Sequence, residues 1–392
     1  MNNSVHKFEY RQMIYSQSST VSTPGPQING RRPNSTGSPN ILLVSNFFKM
    51  PYRVLRCAQA TGGNVYMLGA NGAQGIKYSR YCKAFSQTTR LIDGVFDAEL
   101  AEEINHYVDR FNIDMVLAGD APSTRSVIAI KDLIHVPCFP TPELAQFDLL
   151  NDKWQFGCLC RSLGIEYPSS RIFSNLEELD RAIINSDLSF PQIAKPLSMD
   201  GGIGCIVLQP ETARKQLAKI FYHPILVQEF IKGEDIGASV FCERGEIKAF
   251  IAHRYRRDTY TTFFDDAIYN DINKLMRHLK VDGVFNFDMR LAPDGRIFYL
   301  ECNPRFFFKI AMSMIAGINF VSLGLPGRGS NGLPKTCGSI TVRFPKAILI
   351  SMHTPWKIGV NSWEALKFVL ADPIPYFREE FGFEGEGGRA YR

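Results

Sequence analysis

The stretch that most constrains this chain is "VDGVFNFDMRLAPDGRIFYLECNPRF", residues 281–306. "APDGR" is a turn signal between two alternating apolar runs, which predicts a β-hairpin. Side chains two apart in a strand share a face. Asn286, Asp288 and Arg290 therefore share one face of the first strand, and Glu301, Asn303 and Arg305 one face of the second. Ile297 and Tyr299 read as buried strand positions, with Cys302 pointing away from the polar face into the core. Asp288 and Glu301 then fall near each other across the pair, although like charges placed opposite one another destabilise a bare hairpin. Two carboxylates and an amide oxygen are hard oxygen ligands, and Mg2+ typically takes one or two carboxylates plus substrate phosphates. A bound cation would remove the conflict, so Asp288, Glu301 and Asn303 are the candidate metal ligands.

Three upstream features suit the same chemistry. "FPQIAKPLSMDGGIGCIVL" (190–208) reads as a strand ending at Lys195, a loop with Gly201, Gly202 and Gly204, and a second strand. Glycines let backbone N–H groups approach an anion closely, and a lysine beside them supplies a point charge for phosphate. "ILVQEFIKGEDIGASVF" (225–241) reads as strand, connector, strand; main-chain groups of an exposed connector can bond the edge of a purine, and an acid just beyond can hold ribose hydroxyls. Lys153 follows Asn151 and Asp152, either of which is a helix N-cap residue type, between two helical pieces in 141–168.

The 392 residues are enough for two or three domains, and 45% apolar with 21% charged residues is ordinary for a globular chain. "ILLVSNFF", "NVYMLG" and "DMVLAGD" alternate with helical spacing, predicting a small parallel α/β domain over about 40–140. "GANGAQG" (69–75) lacks the G-x-G-x-x-G spacing of a dinucleotide fingerprint and reads as a turn. Residues 1–39 read as a disordered tail, Ser-, Pro- and Gly-rich from 16 onward. The tail carries +3 of the +5 net charge, so the folded part is near neutral and no nucleic-acid footprint is expected. No apolar run reaches the roughly 18 residues of a membrane span, and no signal-peptide h-region opens the chain. Nine cysteines without a repeated spacing argue against a disulfide framework and for a reducing, cytoplasmic setting. Cys158 and Cys160 lack the second pair that a zinc site needs.

Taken in order, Lys153, Lys195 with its glycine loop, "VQEFIKGED", Asp288 and "ECNPR" resemble the ATP-grasp superfamily, and "NPRFFFKIAMSMIAGINF" is similar to its carboxylate–amine ligase branch. The resemblance covers about residues 40–325. It implies an α/β chain with α+β grasp domains: a small parallel α/β domain (40–140), then an ATP-grasp domain (141–325, lid about 190–230) and a C-terminal extension (326–392). It further implies ATP and Mg2+ (or Mn2+) as cofactors. Lys153 and Lys195 would lie on the nucleotide phosphates, and Gly201, Gly202 and Gly204 in the lid over them. Gln228, Glu229, Phe230 and Ile231 would meet adenine, with Asp235, or Glu234 in its place, at the ribose. Asp288, Glu301 and Asn303 would hold the metal, and Arg305, with Lys195, would face the transferred phosphoryl group. The implied reaction is phosphorylation of a carboxylate by ATP and capture by an amine, releasing ADP and phosphate. The partners are then a small carboxylic acid and an amine such as an amino acid, with a homodimer as candidate assembly and no membrane.

The chain departs from the D-alanine–D-alanine ligase pattern, which has an arginine two residues before the first metal acid; here that position is Asn286. Arg290, or Arg254, Arg256 and Arg257, are the substitutes. A carboxylase activating bicarbonate and a non-catalytic nucleotide-binding regulator are the competing readings. Because its composition supports no core, the tail is expected to be dispensable. Deleting residues 1–38 should leave the melting temperature and ATP binding unchanged in a thermal-shift titration; a large drop in melting temperature would show that the tail packs.

Overall fold

The computed structural model describes residues 38–199, 201–256, 259–325, 335–343 and 360–381. The tail and Arg257 lie outside these. The described chain opens with β1 (Asn40–Ser45), α1 (Lys49–Gln59), β2 (Asn64–Gly69), β3 (Cys82–Gln87), α2 (Ala98–Phe111), β4 (Met115–Ala118) and α3 (Ala121–Ile130). The strands pair in parallel in the order β3-β2-β1-β4. Buried on both faces, they read as near-continuous apolar runs. Ile41 and Leu43 face α1, while Leu42 and Val44 face α2. Where a turn was expected at 69–75, a 3-10 helix runs over Asn71–Tyr78.

Next come α4 (Leu144–Asn151) and α5 (Lys153–Ser162), then a small antiparallel sheet. That sheet comprises β5 (Ser170–Phe173), β6 (Gln192–Lys195), β7 (Ile206–Leu208) and β8 (Ile225–Glu229), in the order β5-β8-β6-β7. The helices α6 (Leu176–Ile184) and α7 (Ala213–Leu217) cover it, closing a core of its own around Phe173, Leu179, Ala194 and Ile225.

The large sheet is built from β9 (Glu234–Glu243), β10 (Glu246–Arg256), β11 (Thr259–Phe263), β12 (Gly283–Leu291) and β13 (Ile297–Asn303). Two short strands near the C-terminus, β14 (Lys335–Thr336) and β15 (Thr341–Arg343), join it at β10 and β11. Between β11 and β12 runs α8 (Asp266–Leu279), capped by the Asp265 carboxylate, which accepts from the Ile268 N–H. One face of the sheet packs on α4, α5 and α8 through Phe285, Phe287, Met289, Tyr299 and Cys302. Part of the other face, at Phe241, Ile251, Tyr260 and Val284, shares a core with β1, β2 and α1. The remainder of that second face carries the polar residues of the hairpin.

The hairpin has the expected turn and the expected partners: Asp288 opposite Glu301, and Asn286 opposite Asn303. It departs from strict alternation, because the register slips between Asp288 and Met289 and leaves Leu300 as an extra residue on β13. That bulge lets Tyr299 and Cys302, three apart, enter the same core, while Glu301 and Asn303 keep the opposite face. Tyr299 is buried as the sequence pattern suggests, and the bulge is what lets it lie opposite Glu301.

Beyond the hairpin come α9 (Ile310–Ile315), α10 (Phe320–Leu323), α11 (Val360–Leu370) and α12 (Pro373–Phe381). The C-terminal pair docks on the N-terminal sheet. Asp372, buried, accepts from the Ser79 hydroxyl at 2.5 Å and the Arg80 N–H at 3.1 Å. Arg56 is buried with its guanidinium over the rings of Phe368 and Tyr81, 4.0 and 4.8 Å from their centroids. Because hydrogen bonds to charged groups contribute more than neutral ones, Asp372→Ala should cost about 2–3 kcal/mol of stability. A urea midpoint unchanged in that variant would show that this docking adds nothing to the fold.

Candidate functional site

Lys153 is the first residue of α5, and the Asp152 carboxylate caps the helix by accepting from the Gln155 N–H at 2.8 Å. Of the two cap residues the sequence offered, Asp152 is the one used. Lys153 is buried, and the Tyr167 hydroxyl donates to its carbonyl at 2.6 Å. Its ammonium lies 3.0 Å from Glu301 Oε2 and donates to the Met199 carbonyl at 2.9 Å; its backbone N–H donates to Leu197. The lysine therefore joins the hairpin to the base of the glycine loop.

Lys195 ends β6, also buried, and the loop after it turns back into β7 with Gly201, Gly202 and Gly204 all at positive φ, 65–75°. That left-handed backbone favours glycine and turns successive N–H groups toward one side. Burial pushes the Lys195 ammonium down to about 8, helped by Lys153 and opposed by Glu301. Among the described residues no carboxylate stands at ion-pair distance from it.

At the hairpin, the Asn303 amide nitrogen reaches both carboxylates, 3.3 Å from Asp288 and 3.3 Å from Glu301. Its oxygen accepts from Arg305 at 2.8 Å. Arg305 lies just beyond β13 and is buried, with a second nitrogen donating to the Phe306 carbonyl and touching Met50 of the N-terminal segment. The expected face of the guanidinium is thus turned behind Asn303, toward the neighbouring core. Asn286 is satisfied on both ends: its oxygen accepts from Ser239 and its nitrogen donates to Asp288.

The two carboxylates differ in charge state. Burial pushes Asp288 well above the usual carboxylate range, and the facing Glu301 pushes it further. Burial acts upward on Glu301 as well, but Lys153, Asp288 and Lys195 outweigh it and hold the group below the usual range. Only one of the pair is ionised at neutral pH, as two close carboxylates require. The donor set fits a divalent cation: the amide N–H groups and the Asp288 proton supply the positive charge that the pair demands.

The connector residues are less uniform. Gln228 is buried in β8, its amide donating to Ser170; the backbone N–H groups of Glu229 and Phe230 already donate to Ser169 and Pro191. Ile231 follows in the connector itself. Asp235 is exposed and pairs with Arg290 at 2.9 Å, and Arg290 also donates to the Gly233 carbonyl. Glu234 meets Arg254 and Arg256 at 3.6 and 3.4 Å. Arg290 and the basic cluster therefore brace the connector instead of replacing an arginine at position 286.

Sequence reasoning missed Tyr167, the Met199 carbonyl, Ser239 and the pair of buried His253 with half-buried Tyr255. Gly237 and Ser239 interrupt an apolar strand with period two, which marks the polar face; the others depend on long-range packing and leave no local signal.

Asp288 yields a pH prediction for the metal-free chain. Its folded pKa is raised, so above the unfolded value of about 3.9 the folded state binds the extra proton and stability falls as pH rises toward the folded pKa. Glu301, held low, contributes stability that is lost only on acidification below its ordinary range. Buried His253, whose pKa is lowered, gives a slope of opposite sign near neutrality. The difference between wild type and Asp288→Asn isolates the carboxylate: in chelator, melting curves should show the variant gaining on wild type from pH 5 to 7. Parallel curves would mean that Asp288 is ionised.

Two family models match the chain: the RimK-like ATP-grasp domain over residues 150–243, and the ATP-grasp in the biosynthetic pathway with Ter operon over 221–338. The arginine-specific large chain of carbamoyl phosphate synthase from Bacillus subtilis is 22% identical over 245 residues, covering 56% of this chain and 23% of that protein. Among solved structures, L-amino acid ligase from Bacillus licheniformis aligns at TM-score 0.56 and 16% identity, over 75% of each chain. N5-carboxyaminoimidazole synthetase from Staphylococcus aureus, complexed with ADP, aligns at TM-score 0.61 and 13% identity, over 81% of this chain and 85% of that one. The family models, both of ATP-grasp domains, span the glycine loop, the connector and the hairpin, and the fold around them is shared with these enzymes.

Proposed function

We propose that the chain is an ATP-dependent carboxylate–amine ligase that works through an acyl phosphate and releases ADP and phosphate in the cytoplasm. The observation that carries this reading is the convergence of Lys153, Lys195, Asn303 and the Asp288–Glu301 pair beneath a positive-φ glycine loop. Two buried lysines and a buried arginine gather around the carboxylate pair, a cationic setting suited to a polyphosphate.

Lys153 and Lys195 lie on the phosphates, and Gly201, Gly202 and Gly204 close over them. The carbonyls of Gln228 and Glu229, with Phe230 and Ile231, meet the adenine, and Asp235 meets the ribose, giving up its partner Arg290. Asp288, Glu301 and Asn303 hold Mg2+, which when bound neutralises charge on the β- and γ-phosphates. Cation binding requires Asp288 to release its proton and Asn303 to present its oxygen. Arg305, which holds that oxygen at 2.8 Å while the amide nitrogen faces the carboxylates, would release it as the amide turns and add positive potential behind the phosphoryl group. A carboxylate oxygen attacks the γ-phosphorus in line and ADP leaves. The amine then attacks the acyl carbon and phosphate leaves, with the loop excluding water.

Likeness to enzymes of both amide and carboxyl chemistry makes a carboxylase the second reading. Hydroxylamine separates them, because it intercepts an acyl phosphate as a hydroxamate. A library of amino acids and small carboxylic acids should yield one or a few acids that give ATP-dependent hydroxamate with equal ADP. AMP formation would rule the mechanism out, and bicarbonate-stimulated ADP release without hydroxamate would select the carboxylase.

A further inference from the structure

Beside the carboxylate pair, on the same face of the large sheet, lies a His–Tyr dyad that the proposed mechanism does not use. His253 of β10 is fully buried, its Nε2 lies 2.6 Å from the Tyr255 hydroxyl, and its ring stacks on Tyr260 at 5.1 Å. The other ring nitrogen, Nδ1, is buried with no hydrogen-bond partner. Burial, and then the charge of Lys309, lower its pKa to about 3, so the ring is neutral at physiological pH.

A neutral ring carries one N–H, and the orphaned nitrogen shows which. Were the proton on Nδ1, a buried N–H would lack an acceptor, which is rarer and costlier than an unmatched lone pair. The proton therefore sits on Nε2 and is donated to the Tyr255 oxygen. The hydroxyl proton of Tyr255 is then directed away from His253, and no acceptor for it stands among the described residues.

Its surroundings define that acceptor. Gly237 of β9 is the Cα partner of both His253 and Asp288, so the two stand on either side of it, about 10 Å apart at two strand spacings. A Cβ at Gly237 would come 2.6 Å from His253 Nε2, so the imidazole lies directly over this glycine, where no side chain fits. Lys309 lies 5.7 Å from the Tyr255 ring centroid, and Arg53 sits 3.8 Å over the ring of half-exposed Phe308, which Lys309 also approaches at 5.0 Å. A hydroxyl donor with the Lys309 ammonium beside its ring fits a small anionic group.

We propose that Tyr255 donates a hydrogen bond to the carboxylate of the acid activated at the Asp288–Glu301 centre, with His253 as the positioning residue that orients the hydroxyl. This rests on the ligase reading and adds to it where the acid lies: at the Tyr255 hydroxyl, on the same face of the large sheet as the carboxylate pair.

The test uses the full chain with ATP, Mg2+, hydroxylamine and a pool of the twenty proteinogenic amino acids with acetate, succinate and benzoate, following hydroxamate. Tyr255→Phe keeps the ring and removes the donor; the half-saturating pool concentration should rise at least tenfold, with that of ATP moving less than twofold. His253→Gln keeps an N–H donor at a similar reach and should stay within threefold of wild type, whereas His253→Met, without a donor, should follow Tyr255→Phe. Equal behaviour of the Gln and Met variants, or a wild-type pool dependence in Tyr255→Phe, overturns this inference and leaves the ligase reading standing. A wild-type protein that forms no hydroxamate with the pool overturns both.

Discussion

Two carboxylates brought face to face in a partly dehydrated cleft are the constraint on which this site depends. Removing them from water and setting them together both act against ionisation, and the fold answers each with a specific group. Lys153 meets Glu301 and fixes it as the charged member; Asp288 keeps its proton; Asn303 spreads one amide across both. Each of these partners is itself pinned, Lys153 by its helix cap and the loop carbonyl of Met199, Asn303 by Arg305. A charge imbalance on one hairpin has therefore organised residues from four separate parts of the chain.

The large sheet divides its second face between two tasks. Toward Val284, Phe241 and Ile251 it is sealed against the N-terminal sheet and α1, and toward Asn286, Asp288 and Arg290 it opens onto the site. Along β12 the change from core to site occurs within two residues, which fixes the depth at which the carboxylates sit. His253 and Tyr260 stand at the same border on β10 and β11, their rings packed, with His253 Nε2 against Tyr255 and the Tyr260 hydroxyl against Ser313. The C-terminal helices act at a distance, clamping the N-terminal sheet through Asp372 and the cation-π contacts of Arg56.

Asn286, where an arginine stands in the D-alanine–D-alanine ligase pattern, joins Ser239 to Asp288 as a neutral bridge. The nearby arginines are spent on Glu234 and Asp235, bracing the connector after β8. Two further cations, Lys309 at the start of a short helix and Arg53 of α1, meet instead over the ring of Phe308.

The amino-acid sequence by itself determined the hairpin, the pairing of Asp288 with Glu301, the strand ending at Lys195, the glycine turn and the parallel N-terminal sheet. These are local: turn chemistry, period-two alternation and glycine's freedom at positive φ act within a few residues. It did not determine the bulge at Leu300, since an inserted residue changes parity only against a partner strand. Nor did it determine that Arg305 would turn behind Asn303, that Arg290 would be taken by Asp235, or that His253 would lose one of its two hydrogen-bond partners. Those outcomes were decided by tertiary structure, because burial and electrostatic pairing depend on which distant groups arrive alongside, and low local dielectric makes each arrival count.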